Sequence, residues 1–316
     1  MNIQQFQYII ALAEYRHFEQ AAESCFVTQS TLSTMIARFE EEIGIPVFDR
    51  KKKPVELTKE GELIVEQLKQ INKEIDNLTV ITQEIKGEEK GSLSISVIPT
   101  VAPFLLPRFL HSFAEKFPKL DIQVTEQTTS EIIRRIKSRD LDIGIISIPV
   151  HEKDIMEVKL YDEPFVFYDS SVCTADFITA SDLDVSNLCL LEEGHCMRTQ
   201  VLELCDVHEK KINNKLNFRY KAGSIDSLLR FVKANKASTL LPYLSAIELS
   251  PEESKKIGQF TNPVPYRTIG LVVHRHFVKH KILKHLETEI LERVSAVLPE
   301  RDLVGQKLMP IGTENS

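Results

Sequence analysis

Cys196 and Cys205 lie nine positions apart in the stretch Leu191-Glu192-Glu193-Gly194-His195-Cys196-Met197-Arg198-Thr199-Gln200-Val201-Leu202-Glu203-Leu204-Cys205. Two thiols can be oxidised to a disulfide, and in a reducing compartment such a bond forms only as a signal. After Cys196, Met197, Val201 and Leu204 recur at helical spacing with no Gly or Pro, so the stretch reads as a helix. Nine residues of α-helix rise roughly 13 Å, whereas a disulfide needs Cα atoms within about 7 Å. If the reduced stretch is helical, the two sulfurs can bond only by dismantling it. The bond would be a switch rather than a staple.

The surroundings favour reactivity at Cys196. Gly194-His195 reads as a turn into a helix, which puts the sulfur at a helix N-terminus with His195 and Arg198 beside it. All three features stabilise a thiolate. Cys205, between Leu204 and Asp206, lacks them and reads as the resolving thiol. Spacing alone fits two ordinary cysteines in a partly buried helix equally well. Zinc could also be considered, with His195, Cys196 and Cys205 joined by Cys189, but no compact ligand pair supports it. No C-x-x-C motif points to a thiol peroxidase or reductase. His274, His276, His280 and His285 read as surface histidines, Cys25 as core, and Cys173 and Cys189 as bystanders.

The elements that must hold these thiols belong to a chain of 316 residues, enough for two or three domains. The formal net charge of −7 gives no bulk basic signal, so contact with nucleic acid must rest on a local patch. Five cysteines, an odd number, argue against a secreted disulfide framework. Met1-Asn2-Ile3-Gln4-Gln5 lacks a signal-peptide pattern, and no apolar run approaches the length of a membrane span. The expectation is a soluble, cytoplasmic protein without a membrane partner.

Residues 1–58 read as a winged helix-turn-helix. Ile3, Phe6, Ile9, Ile10 and Ala13 mark a first helix over residues 2–15, and a short one follows over Phe18–Cys25. Thr28 is a good N-cap for a third over Gln29–Glu42, with Leu32, Met35, Ile36 and Phe39 facing inward. Its other face carries Gln29, Ser30, Thr31, Ser33, Thr34 and Arg38, which can reach base edges and phosphates in a major groove. Phe48 to Thr58 looks like a two-stranded wing whose tip, Arg50, Lys51 and Lys52, could lie against phosphates. A three-helix domain that binds a protein is the alternative. The first sixty residues are slightly acidic in net charge, so wing and helix must supply the attraction to DNA.

From Thr58 to Lys86 the apolar positions Ile64, Leu68, Ile71, Ile75, Leu78 and Ile85 alternate spacings of four and three. This a/d register predicts a linker helix over residues 59–90 that pairs with a second copy, the alternative being burial against the chain's own body. Beyond Gly91, strands at Leu93–Ile98, Ile122–Glu126 and Ile143–Ser147 alternate with helices at Ala102–Phe117 and Ser130–Ser138. The alternation resumes at Asn187–Leu191, Ser224–Ala234, Thr239–Leu241 and Thr268–Val273, which predicts an α/β domain with a mostly parallel sheet. The tail after Pro299 reads as loose.

The order Phe18-x-x-Ala21-Ala22, Val27-Thr28-Gln29-Ser30-Thr31-Leu32-Ser33, Gly44, Phe48-x-Arg50 and Leu57-Thr58-x-x-Gly61 resembles the LysR-type transcriptional regulators. The resemblance implies an α/β protein with an all-α winged helix-turn-helix, a dimerising linker helix and a two-lobed regulatory domain similar to periplasmic binding proteins. That domain would span residues 91–300, with lobe one 91–163 plus 268–297 and lobe two 164–267, before a tail at 301–316. Glu192 to Arg198 followed by Cys205, together with Ile98-Pro99-Thr100-Val101-x-Pro103 and Arg267-Thr268-Ile269-Gly270, is similar to the peroxide-sensing members of the family. By that resemblance Cys196 is the peroxidatic cysteine, Cys205 the resolving one, and Thr100, Thr129, His195 and Arg267 line the peroxide pocket. Thr128 and Ser130 offer neighbouring hydroxyls. The implied partners are promoter DNA, hydrogen peroxide, further copies of the chain as a dimer of dimers, RNA polymerase and a cellular dithiol, with no cofactor. The implied output is activation of peroxide-defence genes. A regulator of the same fold that answers to a small metabolite between the lobes is the runner-up.

Overall fold

The computed structural model describes residues 1–86, 89–171, 177–180, 183–192, 194–205, 220–299 and 305–310, and of Gln83, Glu84, Val185 and Cys205 the backbone alone. Cys173 lies outside the described residues. The chain divides into two compact units, Met1–Gly87 and Glu88–Ser316.

In the first unit, α1 (Ile3–Tyr15) starts from a reciprocal cap between Asn2 and Gln5. Helix α2 (Phe18–Ser24) leads through a turn to α3 (Gln29–Ile43), whose first turn is capped by the Thr28 hydroxyl. Strands β1 (Phe48–Asp49) and β2 (Glu56–Leu57) pair antiparallel as the wing, and α4 (Lys59–Ile85) follows, with Gly61 N–H donating to Thr58 Oγ1 at 2.8 Å. Ile9, Leu12, Ala21, Leu32, Ile36 and Phe39 form the core. Cys25 is half-buried against that core rather than inside it.

Glu40 pins the wing to α3. Its Oε1 accepts from the backbone N–H groups of Val47 (2.8 Å) and Phe48 (3.0 Å), and its Oε2 from Arg50 (2.7 Å). Glu40→Ala would strand two backbone donors and a guanidinium. We expect about 1–3 kcal/mol of lost stability, read by urea unfolding of the full chain with a probe in the wing.

The apolar stripe of α4 is not one surface. Leu68 is buried, and Ile64 and Ile71 pack on the unit's own core, because α1 lies against the first turns of α4. Leu78 is 62% exposed and Ile85 80% exposed, with Ile75 half-buried between the two regimes. Only the second half of the predicted seam is uncovered within the unit. The burial of Leu68 corrects its assignment to a contact with a second copy.

The second unit contains β3 (Gly91–Val97), α5 (Ala102–Lys116), β4 (Leu120–Glu126), α6 (Thr129–Lys137), β5 (Ile143–Ile148), β6 (Ile155–Asp169) and β7 (Phe177–Ile178). Then come α7 (Cys196–Cys205), α8 (Ile225–Ala234), β8 (Ser238–Pro242), α9 (Tyr243–Ala246), α10 (Pro251–Ser254), β9 (Ile257–Phe260), β10 (Val264–His274), α11 (His280–Ser295) and β11 (Gly305–Lys307). The strand order is β4-β3-β5-β10-β6-β9-β7, with β8 on β6 and β11 on β10.

The sheet is mixed, not mostly parallel. β3 pairs parallel with β4 and β5, but β10 runs antiparallel to both β5 and β6, and β6 antiparallel to β8 and β9. Strands β6 and β10 are long, and their paired register reaches from Ile155↔His274 to Pro164↔Tyr266. Around the first end lies one core, built on Leu93, Phe109, Ile143, Leu271 and Leu286; beyond the other lies a second, built on Tyr168, Leu188, Val201, Leu228 and Leu240. Strand-helix alternation does not reveal such returning strands. Residues 187–191 are not a strand either: Leu188 and Leu191 make single bridges to Ser238 and Ala222. No described helix is long and apolar enough to cross a membrane.

Candidate functional site

Helix α7 begins at Cys196, so the helical reading of the cysteine segment agrees with the backbone. Gly194 ahead of it has φ +95°, a conformation that side chains on L residues rarely adopt, and it turns the chain into the helix. Cys196 packs with the core of the first lobe, while the next residue, Met197, packs with that of the second. The thiol therefore sits at the seam between lobes.

The predicted residues Thr100, Thr129, His195, Cys196 and Arg267 are all buried. Arg267 is fully enclosed, and its guanidinium is held on three sides. Nη1 donates to Thr100 Oγ1 at 2.8 Å and Nη2 to the Thr100 carbonyl at 3.1 Å. Nε donates to Glu163 Oε2 at 2.9 Å, and Nη2 lies 2.8 Å from the same oxygen. The Phe165 ring faces the group at 5.8 Å. Glu163 is equally buried and accepts the Leu244 N–H at 2.9 Å through Oε1. Sequence reasoning missed Glu163. The signal was present: of the two acids Asp162 and Glu163 inside the otherwise apolar run Leu160 to Phe167, strand alternation turns one inward, and a buried acid must be paired.

Thr129, not Thr128 or Ser130, faces inward. Thr128 and Ser130 are less buried and share a contact of 3.2 Å with each other. The Thr129 hydroxyl is near enough to the Cys196 sulfur to favour its thiolate, yet it completes no full hydrogen bond with any partner. A buried hydroxyl in that state is rare.

Burial raises the Cys196 pKa above that of an ordinary thiol. Arg267 opposes this most strongly, followed by the Thr129 hydroxyl and the backbone N–H groups of Met197 and Cys196 at the start of α7. The helix N-terminus thus acts as expected, but the cation is Arg267 rather than His195 or Arg198. Burial lowers the pKa of His195, with Glu192 opposing at 3.9 Å, so the imidazole is neutral at pH 7. Arg198 donates to the Leu191 carbonyl at 2.7 Å. Desolvation lifts Cys189 to about 11 and keeps it a thiol. Among the described residues no cluster of three His, Cys, Asp or Glu side chains could hold a metal.

A raised Cys196 pKa makes thiolate scarce at neutral pH. The rate of Cys196 oxidation should therefore climb by about tenfold per pH unit and keep climbing past the ordinary thiol range near 8.5. Stopped-flow oxidation from pH 6 to pH 10 measures this; a plateau reached by pH 7 would contradict the dominance of burial.

In the first unit, Gln29, Ser30, Thr31, Thr34 and Arg38 are exposed along α3 and Ser33 is half-buried. Within the wing, Arg50 is committed to Glu40 and lies over Phe18, Lys52 pairs with Glu56, and Lys51 is exposed.

Two family profiles match the chain: a bacterial regulatory helix-turn-helix protein of the lysR family over residues 3–62, and the LysR substrate binding domain over residues 86–295. The DNA-binding transcriptional dual regulator OxyR of Escherichia coli K12 is 35% identical over 279 residues, covering 86% of this chain and 89% of that protein. A hydrogen peroxide-inducible genes activator of Haemophilus influenzae is 29% identical and covers 94% of this chain and 99% of that one. Among solved structures, a full-length OxyR variant of Pseudomonas aeruginosa superimposes with a TM-score of 0.71 at 28% identity, covering 92% of this chain and 98% of that one. With both modules present in order and this similarity along most of its length, the chain belongs to the LysR family of bacterial helix-turn-helix transcriptional regulators, on its OxyR branch.

Proposed function

We propose that this protein is a cytoplasmic regulator that binds promoter DNA and is switched by hydrogen peroxide through a reversible Cys196–Cys205 disulfide. The observation that carries the reading is the Thr129 hydroxyl, buried without a full hydrogen bond beside a buried thiol whose charge the caged Arg267 guanidinium also favours. A site so enclosed admits only a small oxidant, and one with two hydrogen-bonding oxygens meets the unsatisfied hydroxyl.

The chemistry balances without a cofactor. The Cys196 sulfur attacks one peroxide oxygen and the O–O bond breaks. The sulfur becomes a sulfenic acid, and the thiol proton joins the departing hydroxide as water. Neutral His195 can carry that proton, while Thr100 and Thr129 orient the peroxide and Arg267 stabilises charge on the leaving oxygen. The Cys205 thiol then displaces a second water from the sulfenic acid and closes the disulfide. A cellular dithiol reverses it. Over α7 the two residues are roughly 13 Å apart along the axis, so closure must unwind the helix.

DNA is read by the α3 face, Gln29, Ser30, Thr31, Ser33, Thr34 and Arg38, with Arg50, Lys51 and Lys52 of the wing near phosphates. The uncovered end of the α4 stripe, Ile75, Leu78 and Ile85, joins copies into dimers, which pair again as a dimer of dimers and recruit RNA polymerase. Unwinding α7 changes the second-lobe surface and so the spacing of the DNA-binding pairs.

The test is a footprint on a promoter fragment recovered by in vitro selection, before and after peroxide. The footprint should change for the unmodified protein and stay in its reduced form for Cys196→Ser. An identical peroxide response from Cys196→Ser would favour a regulator that answers to a small molecule between the lobes.

A further inference from the structure

The residues beyond α11 return to the switch helix. Strand β11 adds parallel to β10, with Gly305 opposite Val264 and Lys307 opposite Tyr266. The approach is so close that a Cβ on Gly305 would lie 2.4 Å from the Val264 carbonyl. Leu308 follows, fully buried in the core of the second lobe, and its N–H donates to the Tyr266 carbonyl at 2.8 Å.

From there the strand reaches α7 at two successive turns. Gln200 Nε2, itself enclosed, donates to the Leu308 carbonyl at 3.1 Å and to Ser147 Oγ on β5 at 3.0 Å. Met309 N–H donates to Glu203 Oε2 at 3.0 Å. Both anchor points lie between Cys196 and Cys205, inside the segment that must unwind for the sulfurs to meet. Backbone groups make the ties on the strand side, so they depend on where β11 sits and not on which side chains it carries.

We propose that residues 305–309 form a C-terminal strap that holds α7 in its reduced, helical form and sets how readily the oxidised Cys196 closes on Cys205. The inference rests on the peroxide reading above for its redox consequence, but not for its mechanical one. Attack on peroxide occurs at the first residue of α7, ahead of both ties, and is independent of the strap. Closure consumes the sulfenic acid and the Cys205 thiol, releases water and breaks both ties. Releasing the strap therefore accelerates the second step and leaves the first alone. A mere loss of stability would not separate the two.

Two variants of the full chain test this: a truncation ending after Val304, and Glu203→Ala, which removes one tie at an exposed side chain and leaves Leu308 buried. Sulfenic acid formation is measured by dimedone trapping in a Cys205→Ser background, disulfide closure by time-resolved mass spectrometry, and α7 opening by amide hydrogen exchange of the reduced protein. Sulfenic acid should form at rates within about twofold of the parent. Closure should speed up by about tenfold or more in the truncation and a few-fold in Glu203→Ala, the worth of one or two net hydrogen bonds. Amides of α7 should exchange faster in both. Unchanged α7 exchange in both variants would overturn the strap whether or not Cys196 reacts with peroxide. Faster exchange with no sulfenic acid in any protein, the parent included, would uphold the strap and sink the peroxide reading instead.

Discussion

Arg267→Met should destabilise the regulatory unit by about 3–5 kcal/mol and slow Cys196 oxidation by about a hundredfold or more. Arg267 and Glu163 form a fully enclosed ion pair, so removing the cation leaves a carboxylate with one backbone N–H, that of Leu244, as its remaining partner. Thr100 loses two donors at once. The double variant Arg267→Met, Glu163→Gln removes the uncompensated charge and should recover a large part of the stability. It should recover none of the reactivity, because the cation that most opposes the burial of Cys196 is still missing. Urea unfolding and stopped-flow oxidation of the same four proteins close this cycle. Equal recovery of both quantities would mean that Arg267 is scaffolding alone.

Thr129→Val has the opposite signature. The substitution is nearly isosteric and deletes a buried hydroxyl that completes no hydrogen bond, so stability should hold or rise by up to about 1 kcal/mol. Oxidation by peroxide should fall by about 10²–10³-fold, the usual effect of losing one donor that serves the reacting oxygens. Thr129→Ser keeps the hydroxyl and should restore most of the rate. A stabilised valine variant that reacts normally would remove Thr129 from the site. Few substitutions separate stability from reactivity so cleanly, and this one does so because the hydroxyl has no structural partner to lose.

Local periodicity carried much of the fold. Helix α3 and its Thr28 cap, the helical run from Cys196 to Cys205, and the strands at 93–98 and 143–147 all follow from patterns within a few residues. What periodicity could not carry was pairing across the chain. Lys159, Asp162 and Glu163 interrupt the apolar run of β6, and Pro265, Tyr266 and Arg267 interrupt the first half of β10, so neither announces a long antiparallel strand joining two cores. The apolar residues 188–191 looked like a strand because burial alone selects Leu and Cys, whether or not a ladder forms.

At the site, the thiols were legible from their own surroundings, whereas the cation was not. His195 and Arg198 are adjacent in sequence and were the natural choice, but burial keeps His195 neutral and Arg198 turns to the Leu191 carbonyl. Arg267 was placed near Cys196 by family resemblance, and its partner Glu163 emerged only from the geometry. Within the tail, which reads as loose, Gly305 to Met309 are the exception for a similar reason. Gly305 to Met309 is too short and too polar to read as an element, and its order comes from Val264 to Tyr266 and from α7 rather than from itself.

The central claim is that Cys196 and Cys205 form a peroxide-driven switch, and disulfide mapping by mass spectrometry tests it most directly. The full chain is treated with about one equivalent of hydrogen peroxide and quenched over time, with Cys196→Ser in parallel. A single Cys196–Cys205 bond should form rapidly in the parent and be absent from the variant, while Cys25 and the buried Cys189 remain thiols. Thiols that stay free, or a bond from Cys196 to any other cysteine, would contradict it.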